Sequence, residues 1–158
     1  MDEVRDFYTD SDFREMVELG VNTVQIPVPH DALAEKGNPL FDAISKMLDK
    51  VRKAGLSAIL VLVKPKDETS DKNNGITGAA EFAEAHSSVI AIQLPLAEPS
   101  MLAAVRSVST VLPVLAPTNK GQLKTLSFPP DGYLFAALDA GATTSIADIA
   151  SSDSESDR

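Results

Sequence analysis

The sequence VIAIQLPLAEP, residues 89–99, decides the fold because an almost continuous apolar run ends there in a glutamate followed by a proline. The run is too short to span a membrane, and it predicts a strand buried on both faces, as in parallel sheets. Glu98 then follows the carboxyl end of that strand, where α/β sheets and barrels place their chemistry. The alternative is that Glu98 and Pro99 simply begin the next helix, with the acid favoured by the helix dipole.

Two helix–strand units are predicted upstream of this stretch. Each helix starts at a capping residue, Thr9 in the first and Asn38 in the second, and each ends at a glycine, Gly20 or Gly55. Each helix leads directly into an apolar, β-branched run that predicts a strand, the second of them buried on both faces. These strands are VNTVQIPV, residues 21–28, and LSAILVLV, residues 56–63.

Downstream, the alternation continues through three further strands. Thr77 is the predicted cap of a third helix, which leads into the strand at residues 89–96. A fourth helix follows, and short strands are predicted at residues 112–115, closed by Pro117, and at residues 133–138. Five strands separated by helices indicate an α/β domain with a parallel sheet.

Two architectures fit this alternation. One is a partial (β/α)8 barrel of about five parallel βα units, since a whole barrel has eight strands and about 250 residues. The other is an open doubly wound sheet, which is self-sufficient at 158 residues. No glycine-rich phosphate loop follows any strand, which argues against a nucleotide-binding sheet. Residues 1–150 form the predicted domain, and the acidic, serine-rich SSDSESDR at residues 151–158 is expected to be disordered.

Composition argues against several classes of function. The formal net charge is −9 without a cluster of lysine and arginine, which argues against nucleic acid and anionic membrane surfaces as partners. No apolar run approaches the roughly 20 residues of a membrane span, and the N-terminus has no apolar core of a secretory signal. There is no cysteine, and His30 and His86 are too far apart in sequence for a metal motif. Neither a metal nor an organic cofactor is indicated.

Three stretches together resemble glycoside hydrolase family 5, and within it the exo-β-1,3-glucanase type. DFREMVELGVNTVQIPV, residues 12–28, is similar to the family pattern DF-x-x-(I/M)-x-x-x-G-x-N-x-V-R-I-P-V. AGLSAILVLV, residues 54–63, is similar to A-x-x-x-G-L-x-V-I-L-D-L-H, and residues 89–99 are similar to V-x-x-I-E-L-L-N-E-P. Their order and spacing also agree with the family. The resemblance implies that residues 1–150 form part of a TIM barrel, corresponding to its strands two to six.

The resemblance also implies a site at the carboxyl ends of the strands. Glu98 matches the acid/base glutamate, while the family nucleophile lies on a strand seven that this chain does not match. Gln25 stands where the family has an arginine of the substrate site, and Ala97 where it has the asparagine that binds the sugar 2-hydroxyl. Asp139 follows the fifth strand and could be a second carboxylate of the site. The simpler role for it is to solvate the end of the strand or to cap the next turn. Retaining hydrolysis needs two carboxyl groups about 5–5.5 Å apart, so catalysis is expected to be impaired.

Three functions remain open after the sequence analysis. The first is a family 5 domain related to enzymes that cleave β-1,3-glucan in cell walls, partial and catalytically impaired, which implies a secreted or cell-surface protein that binds glucan or an oligosaccharide. The second is a non-catalytic relative that binds glucan or a protein partner, or that self-associates through open strand edges. The absence of tryptophan weighs against sugar stacking and so favours the protein partner in that case. The third is an unrelated small α/β protein.

Overall fold

The computed structural model describes residues 8–64, 72–95, 98–118 and 133–136. Within them, helices and strands alternate from the first helix to the fourth strand, and a fifth strand joins the same sheet. The elements are α1 (Asp10–Glu18), β1 (Thr23–Pro29), α2 (Pro39–Lys53), β2 (Ser57–Val63), α3 (Lys72–Ala85), β3 (Val89–Gln93), α4 (Pro99–Val108), β4 (Val114–Thr118) and β5 (Tyr133–Ala136). Asp139 and the acidic segment at residues 151–158 lie outside the described residues.

The first two helices begin and end where the sequence predicts. The Thr9 hydroxyl accepts from the Asp12 N–H at 3.3 Å and the Asp12 carboxylate accepts from the Thr9 N–H at 2.6 Å, which makes a reciprocal capping box. Asn38 caps α2, because its side-chain oxygen accepts from a backbone N–H of the first turn at 3.0 Å. Each helix is followed by a glycine with positive φ, 89° at Gly20 and 78° at Gly55.

The five strands form one parallel sheet in the order of the chain, β1-β2-β3-β4-β5. The predicted α/β class with a parallel sheet is therefore confirmed. A doubly wound sheet contains a point at which the strand order reverses, and the strands that the structure describes contain no such point. Because connections between parallel neighbours are right-handed, a sequential order places the helices on one face of the sheet.

The hydrophobic core lies on that one face. Paired residues form rows across the sheet, and one row is buried in a single apolar cluster with α2, α3 and α4, whereas the adjacent row is only partly buried. We call the first side the helix face and the second the exposed face. The helix-face row is Ile26, Leu60, Ile92 and Val114, and the exposed-face row is Pro27, Val61, Gln93 and Leu115.

The prediction that the strands are buried on both faces is wrong for β2 and holds only in part for β3. In β2, Ala58, Leu60 and Leu62 are buried, but the alternating residues are half-buried and Val63 is exposed. In β3, the successive residues Ala91 and Ile92 are both buried, but Ile90 is 45% exposed beside a bulge in the pairing with β2. An apolar run indicates that a strand is buried, but which of its faces is covered depends on where the helices pack. In the described sheet they pack on one face.

The third helix is longer than predicted. Thr77 is not its cap, because this residue lies inside α3 together with two glycines, Gly75 and Gly78. A Cβ atom at Gly75 would lie 2.5 Å from Nδ1 of His30, and one at Gly78 would lie 2.5 Å from Cα of Ala34. The glycines allow α3 to pack directly on the segment that follows β1, and this contact outweighs their low helix propensity.

The fourth strand extends beyond its predicted end. The sequence predicts a strand at residues 112–115, whereas β4 continues through Pro117 to Thr118. Beyond Leu115, the pairing of β4 within the described sheet is with β5. Proline is tolerated near the end of a strand, because fewer ladder hydrogen bonds depend on its missing N–H there.

Candidate functional site

Several titratable residues share one edge of the sheet. His30 and Asp31 follow β1 directly, Lys64 follows β2, and Glu98 follows β3. Because the strands are all parallel, the ends of β1, β2 and β3 lie at the same edge, which we call the carboxyl edge. In α/β proteins, this edge carries the loops that bind and act on ligands.

Glu98, the predicted acid/base residue, stands where the connection from β3 becomes a helix. It is half-buried at the N-cap position of α4, and Pro99 is the first helical residue. Its backbone carbonyl accepts from the N–H groups of Met101 and Leu102 at 3.1 and 3.2 Å. Its carboxylate caps none of the described N–H groups of α4, so the helix start does not consume the acid. Both interpretations of Glu98 fit this position, and its catalytic role stays a prediction.

Gln25 lies in the sheet well before the carboxyl edge. It is an exposed residue in the middle of β1, on the exposed face and opposite Ile59 of β2. It is four residues before Pro29 at the end of the strand, a separation of about 13 Å at a rise of roughly 3.3 Å per residue. The structure therefore does not bring Gln25 to the carboxyl edge beside Glu98. Ala97, the remaining predicted site residue, lies outside the described residues.

Sequence reasoning missed His30 and Asp31 as residues of the carboxyl edge. The His30 side chain is 1% exposed, and its backbone N–H donates to the Val63 carbonyl at 3.1 Å. Gly75 of α3 packs directly against its ring. The signal in the sequence is a polar pair immediately after an apolar strand, and spacing rules for metal ligands do not detect such a pair.

A polar contact that involves His86 lies between α2 and the end of α3, away from the carboxyl edge. His86 Nδ1 donates to the Phe82 carbonyl at 2.8 Å, because a carbonyl oxygen only accepts. In the neutral ring, Nε2 then accepts from the Ser45 hydroxyl at 2.9 Å. The imidazole also stacks on the Phe82 ring, with centroids 4.1 Å apart. These contacts fix the orientation of the ring and join the two helices.

A groove of about 460 Å³ opens along the outer edge of β1. We call it the β1 groove, and it is formed by α1, β1 and α2 together with Tyr8. Its lining is mostly apolar, and its residues are Tyr8, Phe13, Met16, Val24, Gln25, Ile26, Pro27 and Met47. Pockets that bind ligands have volumes of about 300–1,000 Å³, so the β1 groove is of a size that serves binding.

Neither a cluster of metal ligands nor a membrane-spanning helix is present in the part of the chain that the structure describes. Among those residues, no group of three or more His, Asp or Glu side chains is placed to hold a metal ion. None of the described helices has the length and apolar composition needed to cross a bilayer.

The chain matches no known protein family, and no curated protein matches it. Its function is therefore inferred from the sequence pattern and from the geometry of the sheet.

Proposed function

We propose that the chain is part of a β/α barrel of the glycoside hydrolase family 5 kind, related to the enzymes that cleave β-1,3-glucan. We propose further that it binds β-glucan at the carboxyl edge without cleaving it. The observation that carries the proposal is the position of Glu98, which follows β3 at the carboxyl edge of a parallel sheet with sequential strand order. In the family that the sequence resembles, the acid/base glutamate lies on a strand at this edge, whereas Glu98 lies five residues after the end of β3, at the N-cap of α4.

Two features of the sheet support the barrel. Its strands follow the order of the chain, which is the order in which a barrel is built. Its helices pack on the helix face, as the outer ring of a barrel does, and apolar residues such as Val61 and Leu115 remain partly exposed on the other face. The interior of a complete barrel is filled by side chains from all eight strands. Five strands would leave such residues incompletely covered.

The site supports binding better than turnover. A retaining glycosidase needs an acid/base residue and a nucleophile, and loss of one member of such a pair removes most of the rate. The partner of Glu98 would come from a strand that the resemblance does not include. Gln25 has no charge where the family has an arginine, and it lies away from the carboxyl edge. A carboxylate at this edge still accepts hydrogen bonds from sugar hydroxyl groups, and such binding does not require the aromatic stacking that the absence of tryptophan disfavours.

The first experiment measures hydrolysis of laminarin, a soluble β-1,3-glucan, by the release of reducing sugar. We expect the chain and its Glu98→Gln variant to be equally inactive, because a single carboxylate does not complete the double displacement. Hydrolysis by the chain that is lost in Glu98→Gln would contradict the non-catalytic part of the proposal and would identify Glu98 as a catalytic residue.

The second experiment measures binding to insoluble β-1,3-glucan by sedimentation. Glu98→Gln is expected to weaken binding about tenfold, equivalent to about 1.4 kcal/mol, because hydrogen bonds to a charged group contribute at least this much. Glu84→Gln is the matched control, since it removes one carboxylate from an exposed position near the end of α3. It is expected to bind like the unaltered chain. If the folded chain does not sediment with glucan at all, the proposal is wrong.

A further inference from the structure

The hydrogen bonds at the two ends of β1 determine which of its backbone groups face β2. The Asn22 carbonyl accepts from the Ser57 N–H at 3.0 Å, and the His30 N–H donates to the Val63 carbonyl at 3.1 Å. The backbone groups of successive residues in a strand point in opposite directions. The even-numbered residues of β1 therefore face β2, and the odd-numbered residues face the outer edge, which none of the described strands covers.

Two of the four outward positions are prolines. The odd-numbered residues of β1 are Thr23, Gln25, Pro27 and Pro29. Proline has no N–H, so Pro27 and Pro29 hinder the addition of a strand along the second half of β1 at no cost to its pairing with β2. The first half is not hindered in this way, because Thr23 and Gln25 each direct an N–H and a carbonyl outward. Within the part of the chain that the structure describes, the outer edge of β1 is therefore open to pairing over residues 23–25.

The β1 groove lies beside this part of the strand. Phe13 and Met16 of α1 and Met47 of α2 form an apolar wall, and β1 residues from Val24 to Pro27 form the floor. A strand laid along residues 23–25 would direct every second side chain toward this wall and the others toward solvent. The groove thus combines outward backbone hydrogen-bonding groups of β1 with an apolar surface beside them.

The shape of the groove fits an isolated strand better than a second copy of the chain. Phe13 and Met16 of α1 line the groove together with β1, so α1 lies beside the outer edge of that strand. Two-fold pairing of two β1 strands would bring two α1 helices into the same space, whereas packed helices need about 8–10 Å between their axes. Each copy would also carry a formal charge of −9, which disfavours self-association.

The charges around the groove favour a basic partner. The charged residues of α1 and those within three positions of Met47 in α2 are Asp10, Asp12, Arg14, Glu15, Glu18, Lys46, Asp49 and Lys50. Five of them are acidic and three are basic, and Lys50 keeps its charge while it donates to the Tyr8 carbonyl at 3.1 Å. The balance near the groove is negative, as it is for the whole chain. Lysine or arginine on the solvent side of an added strand would therefore be attracted to this surface.

We propose that the β1 groove binds an extended, basic peptide of a partner protein, with apolar side chains at alternate positions, by adding it to the sheet along residues 23–25. Backbone hydrogen bonds to Thr23 and Gln25 supply affinity, and the wall of Phe13, Met16 and Met47 selects apolar side chains. The groove is at the outer edge of β1 and not at the carboxyl edge, so it is separate from the proposed glucan site. It is available to a peptide only where no further barrel strand pairs with β1, and the peptide and glucan assays measure the two proposals separately.

A capped, fluorescent heptapeptide that alternates valine with lysine tests this proposal by fluorescence anisotropy with the full chain. Gln25→Pro removes an outward N–H at a position equivalent to Pro27 and Pro29, so the pairing with β2 and the melting temperature are expected to be retained. This variant is expected to weaken peptide binding by at least about tenfold. Gln25→Ala is the matched control, because it keeps the N–H, and it is expected to bind within about twofold of the unaltered chain.

A second variant and a second peptide test the wall and the charge separately. Met16→Gln makes a half-buried part of the wall polar, and it is expected to weaken binding about fivefold. A peptide that alternates valine with glutamate is expected to bind at least about tenfold more weakly than the lysine peptide. Equal binding of the two peptides would refute the basic partner, and equal affinity of Gln25→Pro and Gln25→Ala would refute strand addition.

The same assays distinguish other occupants of the groove. A dimer in light scattering that Gln25→Pro dissociates would make a second copy the occupant. Peptide binding that appears only after removal of residues 1–7 would make the N-terminus of the chain the occupant. Either result would overturn the proposal, whereas a monomer that binds the lysine peptide through Gln25 supports it.

Discussion

The two faces of the sheet differ in burial although the strands that form them are largely apolar. The central row of the helix face runs from Ile26, which is 7% exposed, to Val114, which is fully buried. In the adjacent row of the exposed face, no member is buried, and Pro27 is exposed. Successive side chains of a strand point to opposite faces, so the same four strands build both rows. A shift of one residue separates the core from a partly exposed surface.

This difference shows which contacts stabilise the fold. Full burial of a large aliphatic side chain contributes about 1.5–3 kcal/mol, and the helix face obtains that contribution at each position of its row. The exposed face obtains only part of it, because residues such as Val61 and Leu115 keep some contact with solvent. Apolar side chains that stay partly exposed on one face are typical of a surface that contacts something else. In the proposed barrel, this face is the one that the side chains of the remaining strands would cover.

Leu60→Ala and Ile59→Ala test this difference on neighbouring residues of β2. Leu60 is fully buried on the helix face, and its truncation is expected to lower the free energy of unfolding by about 2–5 kcal/mol. Ile59 is half-buried on the exposed face, and its truncation is expected to cost about 1 kcal/mol. Urea denaturation followed by circular dichroism measures both values. Equal losses in the two variants would show that the exposed face is covered in solution.

Gly78→Ala tests how tightly the helix layer packs on the segment after β1. The new Cβ atom would lie 2.5 Å from Cα of Ala34, so the backbone of that segment must move. We expect a loss of about 1–3 kcal/mol, despite the gain of about 1 kcal/mol that alanine brings to a helix. Gly37→Ala is the control, because a Cβ atom at Gly37 would meet no described atom within 4 Å and its φ is not positive. A stabilised Gly78→Ala variant would mean that α3 is not held against Ala34.

The glycines also show how far the sequence predicts this fold. Gly20 and Gly55 end helices because their backbones adopt positive φ, a local requirement that sequence rules describe correctly. Gly75 and Gly78 lie inside α3 because a neighbouring segment approaches closely, which is a tertiary requirement. A single sequence does not distinguish these two causes. The alternation of helices and strands was therefore predictable, whereas the start of α3 was not.

The candidate site was less predictable than the fold. The position of Glu98 after a strand follows from the order of apolar and polar residues, and the structure places it there. The level of Gln25 depends on the register between strands, which an isolated motif does not specify. His30 follows β1, whose observed end at Pro29 is one residue beyond the predicted end at residue 28. The difference at Gln25 therefore arises from pairing between strands, whereas His30 was missed because only metal-ligand spacing was considered for it.

The smallest effect is expected at Asp12, on the surface of α1 and outside the core of either face. Its pKa is lowered by hydrogen bonds from the backbone N–H and the side chain of Thr9, with a smaller contribution from the charge of Lys50. A carboxyl group whose pKa is lower in the folded state stabilises the fold above its unfolded pKa, and this stabilisation is lost as pH falls through the folded value. The loss is therefore expected at pH values below about 4.

Asp12→Asn isolates this effect, because asparagine keeps a similar shape but does not ionise in this range. Between about pH 5 and pH 2, the melting temperature of the unaltered chain is expected to fall by more than that of Asp12→Asn, since residue 12 is protonated only in the unaltered chain. The difference should persist in about 1 M salt, because the hydrogen bonds from Thr9 lower the pKa of Asp12 more than the charge of Lys50 does. A difference in melting temperature that disappears in about 1 M salt would instead assign the stabilisation to the charge of Lys50. If the pH profiles of the two proteins are parallel at both low and high salt, the capping box does not form in solution.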